Sequence, residues 1–394
     1  MNFGVNPLRI LYVITTLDAG GAERCLQQTL EHLPKEQFVP WVLCLKKNGV
    51  IGQELQAKGF KVIALGLGSK EFKALHFLIS VREMLRFHPD ILHAWMYHGI
   101  AFSSLLRLRF WKLHWFWSIH NKDITSRGLA RPTRLLAKLL ARLSFWPTCI
   151  IYNSDGARQE HEKLAYSSKK SWVLRNGYNL TKARVLSPQE RQNRRKLLGW
   201  PENAYIVGYV SRCHPQKDVD NFLKAAQLML KFNNGSVCDI DNPSKRKLIL
   251  VCLGQGFSDQ PGPWQEQIGK YGLADHVICR EWLSPIEPWM EAFDLLMLSS
   301  IEESLPNVLG EAMVCGVPWV STDVGEVRAL LTPPCQVVPR EDPEALALAS
   351  WECLQNKRES GKQLRQFIEA NFGIQEQQRL LQEGYRNCLR NGFV

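Results

Sequence analysis

The sequence predicts an α/β protein of two domains, with parallel strands covered by helices, on three observations. Short, uninterrupted apolar runs alternate with helix-length segments along most of the chain, as parallel strands covered on both faces by helices do. A length of 394 residues with 45% hydrophobic content suffices for two ordinary cores. A highly charged segment at residues 189–196 breaks the alternation and puts a domain boundary near Val185. The expected organisation is 1–185, 186–370, and a last helical segment, 371–394.

The first run, residues 9–16, reads as a strand rather than a secretion signal, because no basic n-region or small-residue cleavage site accompanies it. Next comes a glycine-bearing turn, residues 18–23, which opens a helix ending near Leu33. Gly20 and Gly21 let backbone approach a phosphate or sugar closely, although a tight turn with no ligand accounts for them equally. They are adjacent, so the dinucleotide fingerprint G-x-G-x-x-G is absent. Strand-like runs recur at 41–45, 61–65, 91–93, 114–119 and 149–152. His93, His98 and His120 stand at strand ends with no carboxylate or cysteine at metal-ligand spacing beside them. Each is more often a structural histidine than a ligand.

Residues 204–211 open the second half as a strand followed at once by Arg212 and Lys217. Two cations at a strand's carboxyl end suit a diphosphate, Arg as a planar fork and Lys as a mobile point charge; alone they are more often surface charges. A further strand and glycine-rich turn follow at 247–256. Before it, the polar insertion 233–245 carries Asp239 and Asp241, a pair that no apolar strand precedes and that is therefore not expected to hold a metal. Residues 294–298 read as a short buried strand. Ser304 and Pro306 then start a helix that Gly316 and Pro318 stop. Glu303 sits in the strand-to-helix turn and Glu311 inside the helix. Two carboxylates eight residues apart, with helix N-terminal amides between them, suit a ligand with hydroxyls at both ends and phosphate in the middle. Helices are also expected at 342–356 and 375–388.

Residues 299–318 resemble the E-x7-E motif of the retaining, nucleotide-sugar-dependent glycosyltransferases of family 4, through Glu303, Pro306, Asn307, Val308, Leu309, Glu311, Ala312 and Met313, closed by Cys315-Gly316-Val317-Pro318. Arg212 and Lys217 are similar to that family's Gly-Arg-x-x-x-x-Lys element, with Ser211 where a glycine is usual. The resemblance implies the GT-B architecture, two doubly wound, Rossmann-like domains facing a central cleft, with the last helix crossing back onto the first domain. It implies that Glu303 orients the donor sugar, that Glu311 holds the ribose, that Arg212, Lys217 and the helix start at Asn307 and Val308 bind the phosphates, and that the segment with Trp282 flanks the nucleobase. It also puts the Gly20–Gly21 turn at the cleft and His120, with His98 as a weaker match, near the donor sugar. The implied activity is retaining transfer from a nucleotide diphosphate sugar, with no metal and no separate cofactor. A nucleotide-sugar epimerase and a non-catalytic scaffold remain the other classes.

Charge points to where such an enzyme works. Residues 1–185 hold 27 Lys and Arg against 12 Asp and Glu, a balance of +15, while the remainder carries −4 of the net +11. No zinc-finger, RNP or helix-turn-helix signature accompanies the charge, so no nucleic-acid partner is expected. Between Arg107 and Arg142 nine basic residues face only Asp123 and are interleaved with Phe110, Trp111, Trp115, Phe116 and Trp117. Within this stretch Leu135, Leu136, Leu139, Leu140 and Leu143 form one helical stripe and Arg134, Lys138 and Arg142 another. Positive charge with amphipathic aromatics suits a lipid headgroup layer, whereas a stripe facing the domain's own sheet is the alternative. The longest uncharged run, residues 91–106, is 16 residues and too short to span a bilayer. The eleven cysteines form no C-x-x-C pair and suit reduced, buried thiols. The expectation is a peripheral enzyme on the cytoplasmic face of the membrane, acting on a lipid-linked saccharide of a surface polysaccharide.

Overall fold

The computed structural model describes residues 7–18, 20–68, 74–110, 112–121, 130–235, 246–281, 285–356 and 360–391. It divides into two compact units, Met1–Gly177 with Ile374–Val394, and Tyr178–Gly373.

Unit 1 is a seven-stranded sheet: β1 (Leu8–Ile14), β2 (Phe38–Cys44), β3 (Lys61–Ala64), β4 (Ile91–Trp95), β5 (His114–Ile119), β6 (Cys149–Tyr152) and β7 (Ser171–Val173). Its order is β3-β2-β1-β4-β5-β6-β7, with every pairing parallel. Parallel strands joined by helical crossovers bury both faces, which is why their sequences are near-continuous apolar runs. In β5 the pleat sends Trp115, Trp117 and Ile119 to one face, with Ala137 and Leu140 of the helix Arg131–Leu143. Phe116 goes to the other face, against Tyr385.

Tyr385 belongs to the helix Ile374–Asn391, which returns to unit 1. Leu381, Tyr385 and Cys388 are its buried stripe, at helical spacing. The Tyr385 hydroxyl lies 3.2 Å from the Tyr12 hydroxyl and 2.6 Å from Nδ1 of His93.

Unit 2 is a six-stranded sheet of β8 (Ala204–Val210), β9 (Lys247–Leu253), β10 (Val277–Arg280), β11 (Leu295–Leu298), β12 (Trp319–Thr322) and β13 (Gln336–Val338). Its order is β10-β9-β8-β11-β12-β13, again parallel throughout. At the amino edge, buried Arg195 pairs with Asp294 at 2.8 Å and donates to the carbonyls of Ala292 and Ala204. Asp294 in turn accepts from the Ile206 amide at 2.9 Å. This knot ties β8 and β11 at the end away from their carboxyl termini.

The division at Gly177 lies before the boundary expected near Val185, because residues 178–186 are bonded into unit 2. The Tyr178 amide donates to the Phe372 carbonyl at 2.8 Å, and the Arg184 amide donates to Glu291 at 3.0 Å. Arg365 donates to the carbonyl of Ala183 at 2.7 Å.

Candidate functional site

In both sheets the strand order reverses beside the first strand of the unit, between β1 and β4 and between β8 and β11. Crossover helices leave in opposite directions at such a point, so a crevice opens outside the carboxyl ends of the two strands. The sequence candidates of unit 2 leave β8 and β11, and those of unit 1 leave β1, β4 and β5.

After β8 the chain passes through Arg212 to a short turn, Pro215–Lys217, which His214 caps by accepting at Nδ1 from the Gln216 amide, 3.3 Å. Burial and the neighbouring Arg212 and Lys217 lower the His214 pKa, which keeps the ring an acceptor. The turn is fastened to β11. The buried Ser299 hydroxyl is 2.8 Å from the carbonyls of both Lys217 and Asp218, and the Tyr209 hydroxyl donates to the first of these at 2.7 Å. The Ile301 amide donates to the Gln216 carbonyl at 2.9 Å. Lys217 thereby meets Glu303, its ammonium donating to Oε1, and the Ser300 hydroxyl donates to the same oxygen at 2.9 Å. Both charged side chains keep some exposure, 19% for Lys217 and 15% for Glu303. Arg212 is exposed and has no ion-pair partner among the described residues.

The helix beyond Glu303 runs Asn307–Val314, capped by Pro306 at one end and broken by Gly316 at φ +72° at the other. Asn307 and Val308 are its first two residues. Glu311 stands half-buried one turn further on. The Glu303 loop is held from behind by Gly325 at φ +54°, where a Cβ would stand 2.1 Å from the Ser304 carbonyl oxygen and 2.6 Å from that of Glu303. Only glycine fits there. Ser300, Ser299 and Tyr209 were not among the sequence candidates. The one signal for the serines is a polar pair directly after an apolar strand. Trp282 lies outside the described residues, as do Asp239 and Asp241. Among the described residues no three His, Cys, Asp or Glu side chains gather as a metal site.

In unit 1, Gly20 is the N-cap of the helix Gly21–Glu31 and has no side-chain cap. Met96 follows β4 at φ +62°, a strained conformation for a non-glycine residue. His98, two residues on, is exposed. His120 leaves β5 half-buried and stacks on Trp95, ring centroids 4.7 Å apart and planes 15° from parallel. Burial pushes its pKa down to about 4, so the ring is neutral at pH 7. His93 is structural: Tyr385 and the Ser118 hydroxyl, 2.7 Å from Nε2, occupy both ring nitrogens, and burial lowers its pKa to about 3.

The leucine stripe of the helix Arg131–Leu143 does not form one face. Leu140 is buried with Ala137 and Ala141, Leu136 and Leu143 are half-buried, and Leu135 and Leu139 are exposed at 62% and 48%. Arg134 is half-buried, while Lys138 and Arg142 are exposed. Among the described residues no helix is long and apolar enough to cross a membrane.

Comparison with known proteins relates both parts of the chain to glycosyltransferases. Residues 19–182 match the model described as Glycosyltransferase Family 4, and residues 204–356 match Glycosyl transferases group 1. A D-inositol 3-phosphate glycosyltransferase of Streptosporangium roseum is 28% identical over 162 residues, 40% of this chain and 34% of that protein. The chain thus spans about a third of that relative. Longer matches are a D-inositol 3-phosphate glycosyltransferase of Corynebacterium urealyticum, 24% identical over 86% of this chain and 83% of that protein, and an Escherichia coli UDP-Gal:alpha-D-GlcNAc-diphosphoundecaprenol alpha-1,3-galactosyltransferase, 23% identical over 83% of this chain and 82% of that one. Among solved structures, Anabaena HepE in complex with UDP and glucose superposes with a TM-score of 0.78 at 19% identity, covering 96% of this chain and all of that one. WaaG, a glycosyltransferase involved in lipopolysaccharide biosynthesis, gives 0.65 at 16%, covering 98% of this chain and all of that one. These likenesses show the fold, GT-B. The chain thus carries a Glycosyltransferase Family 4 domain in its amino-terminal part and a Glycosyl transferases group 1 domain in its carboxyl-terminal part.

Proposed function

We propose that the protein transfers a sugar from a nucleotide diphosphate donor to a hydroxyl of a lipid-linked saccharide, with retention of configuration and without a metal, in the synthesis of a surface polysaccharide. The observation that carries this is the Lys217–Glu303 contact at the β8/β11 reversal, with Arg212 exposed on the same loop and the helix start at Asn307 beyond it. The bond from the sugar's anomeric carbon to phosphate oxygen breaks, and the nucleoside diphosphate leaves with the electron pair. The acceptor oxygen bonds to that carbon, and its proton passes to the departing phosphate oxygen. Charge separates along this path, so cations and helix amides at the leaving phosphates lower the barrier. Arg212, Lys217 and the amides at Asn307 and Val308 take that role, which leaves none for a metal. Glu303 orients the donor sugar and Glu311 the ribose; in unit 1, His120 and the Gly20–Gly21 turn are the sugar-binding candidates.

The lipid-linked acceptor is supported by the name of the Escherichia coli relative and by the surface of unit 1. The helices Met96–Arg109 and Arg131–Leu143 pack on one another. They expose Leu105, Leu108, Leu135 and Leu139, and Phe145 and Trp146 just beyond are exposed too. Arg109, Arg131, Lys138 and Arg142 are exposed on the same two helices. Apolar side chains that enter a headgroup layer, flanked by basic ones, hold a protein peripherally at an anionic membrane, here the cytoplasmic face. Incubating the purified protein with a panel of nucleotide sugars and polyprenyl-diphosphate saccharides, and following the lipid product by mass, tests the reading. Glycosylated lipid supports it. Epimerised donor with no product on any acceptor would overturn it.

A further inference from the structure

We propose that a small cavity in unit 1, at the carboxyl ends of β4 to β6, is a subsite for an uncharged hydroxyl of the acceptor saccharide, which bonds to the indole N–H of Trp95 and the imidazole of His120. The proposal rests on the transferase reading and assigns the acceptor a chemistry within it. The cavity measures 20 Å³, above the roughly 10–15 Å³ that one water-sized group needs. Among the described residues, no Asp, Glu, Lys or Arg lines it. Its two histidines, His93 and His120, are both held neutral by burial. A phosphate or carboxylate entering here would meet no cation, and an unpaired buried charge is strongly disfavoured. A hydroxyl meets no such penalty.

Two wall groups are committed within the protein, whereas two adjacent rings are not. His93 has both nitrogens committed, to Tyr385 and Ser118. The Thr29 hydroxyl donates to the Cys25 carbonyl at 2.9 Å. Trp95, only 3% exposed, keeps its Nε1–H buried with no partner among the described residues. A buried donor left so is disfavoured, because it has given up water without gaining a partner. His120, stacked on the same indole, makes no hydrogen bond among the described residues. A hydroxyl accepts one hydrogen bond and donates another, so it completes an indole donor and a neutral imidazole acceptor together. The cavity is also lined by Gly177 and Ile374, where the chain leaves unit 1 and re-enters it. A Cβ at Gly177 would stand 2.7 Å from the Ile374 Cα, so this wall is closed by backbone and does not yield to a larger ligand.

The test uses the full-length protein, saturation-transfer NMR, and free glucose, galactose and N-acetylglucosamine as neutral probes, with glucose 6-phosphate and glucuronate as charged ones. Binding of UDP, GDP and ADP is measured in the same samples. At least one neutral sugar is expected to bind, with a dissociation constant raised fivefold or more in both Trp95→Phe, which keeps the ring and removes the N–H, and His120→Asn. Neither charged probe should show that dependence. If no neutral sugar binds, if both variants bind as the wild type does, or if a charged probe shows the same dependence, the proposal is overturned and an ordered water is the occupant. Those outcomes with nucleoside diphosphate binding intact remove only this subsite, whereas absence of binding of all three nucleoside diphosphates in the wild type removes the transferase reading itself.

Discussion

Lys217 and Glu303, 86 positions apart in sequence, share a hydrogen bond at the edge of unit 2, with Ser300 donating to the same carboxylate oxygen at 2.9 Å. The loop thus holds its cation and its carboxylate as a pair. A donor with phosphate for Lys217 and sugar hydroxyls for Glu303 offers each a partner of matching chemistry.

Replacing Glu303 or Glu311 by Gln preserves shape but weakens acceptance from sugar hydroxyls, at about 1.5–3 kcal/mol for each charged hydrogen bond lost. Turnover is expected to fall at least about tenfold in each variant while the melting temperature stays near that of the wild type. Steady-state kinetics beside a thermal melt check this. Undiminished turnover in both variants removes the carboxylates from the site.

If Arg212 and Lys217 carry the leaving group's charge, transfer continues in excess EDTA, and Arg212→Ala loses far more activity than Asp239→Ala. Activity that disappears with chelator and returns with Mn²⁺ or Mg²⁺ contradicts this. The measurement is initial rate with and without chelator in the three proteins.

The pH dependence of stability follows from the histidines. His93 and His120 stay neutral in the folded protein down to about pH 3 and about pH 4, whereas the unfolded chain protonates them below the ordinary value of 6.5. The unfolded state then binds more protons, so stability falls as pH drops from 6.5 toward 4. At pH 5 each histidine contributes about 2 kcal/mol to that loss. Urea midpoints at pH 7 and pH 5 should converge in His93→Gln relative to the wild type. An equal loss in both proteins contradicts the buried neutral assignment.

On the surface of unit 1, sedimentation with anionic vesicles at low salt should carry the wild type down and release it as salt rises. Lys138→Glu with Arg142→Glu should abolish binding, and Trp146→Ser should weaken it several-fold. Binding that ignores the charge reversal, or no binding at low salt, rejects the membrane surface and leaves the transferase reading untouched.

Much of the fold was legible because parallel strands are apolar on both faces: β4, β6 and β11 are buried at every position and read as continuous runs. β7 and β13, three residues each and mostly half-buried, carry no such signal. Arg212, Lys217, Glu303 and Glu311 were visible from motif spacing, whereas Ser300 and the Tyr209–Ser299 fastening depend on strands brought together by the sheet. His93 looked like His98 and His120 in sequence. Its role is decided by Tyr385, 292 positions away, which no local pattern announces. The leucine stripe misled because Ala137 and Ala141 share the inward face, and small residues leave little trace in a hydrophobic pattern.

The central claim is that unit 2 binds a nucleotide diphosphate sugar through the Arg212 and Lys217 loop. Calorimetric titration of UDP-glucose, UDP-galactose, GDP-mannose and ADP-glucose, in the presence of EDTA, tests it most directly. The account predicts saturable binding of at least one of them, weakened at least about thirtyfold in the Arg212→Ala, Lys217→Ala double variant, in line with two lost charge-assisted contacts. Binding left intact in a folded double variant, or no binding of any nucleotide sugar to the wild type, would contradict it.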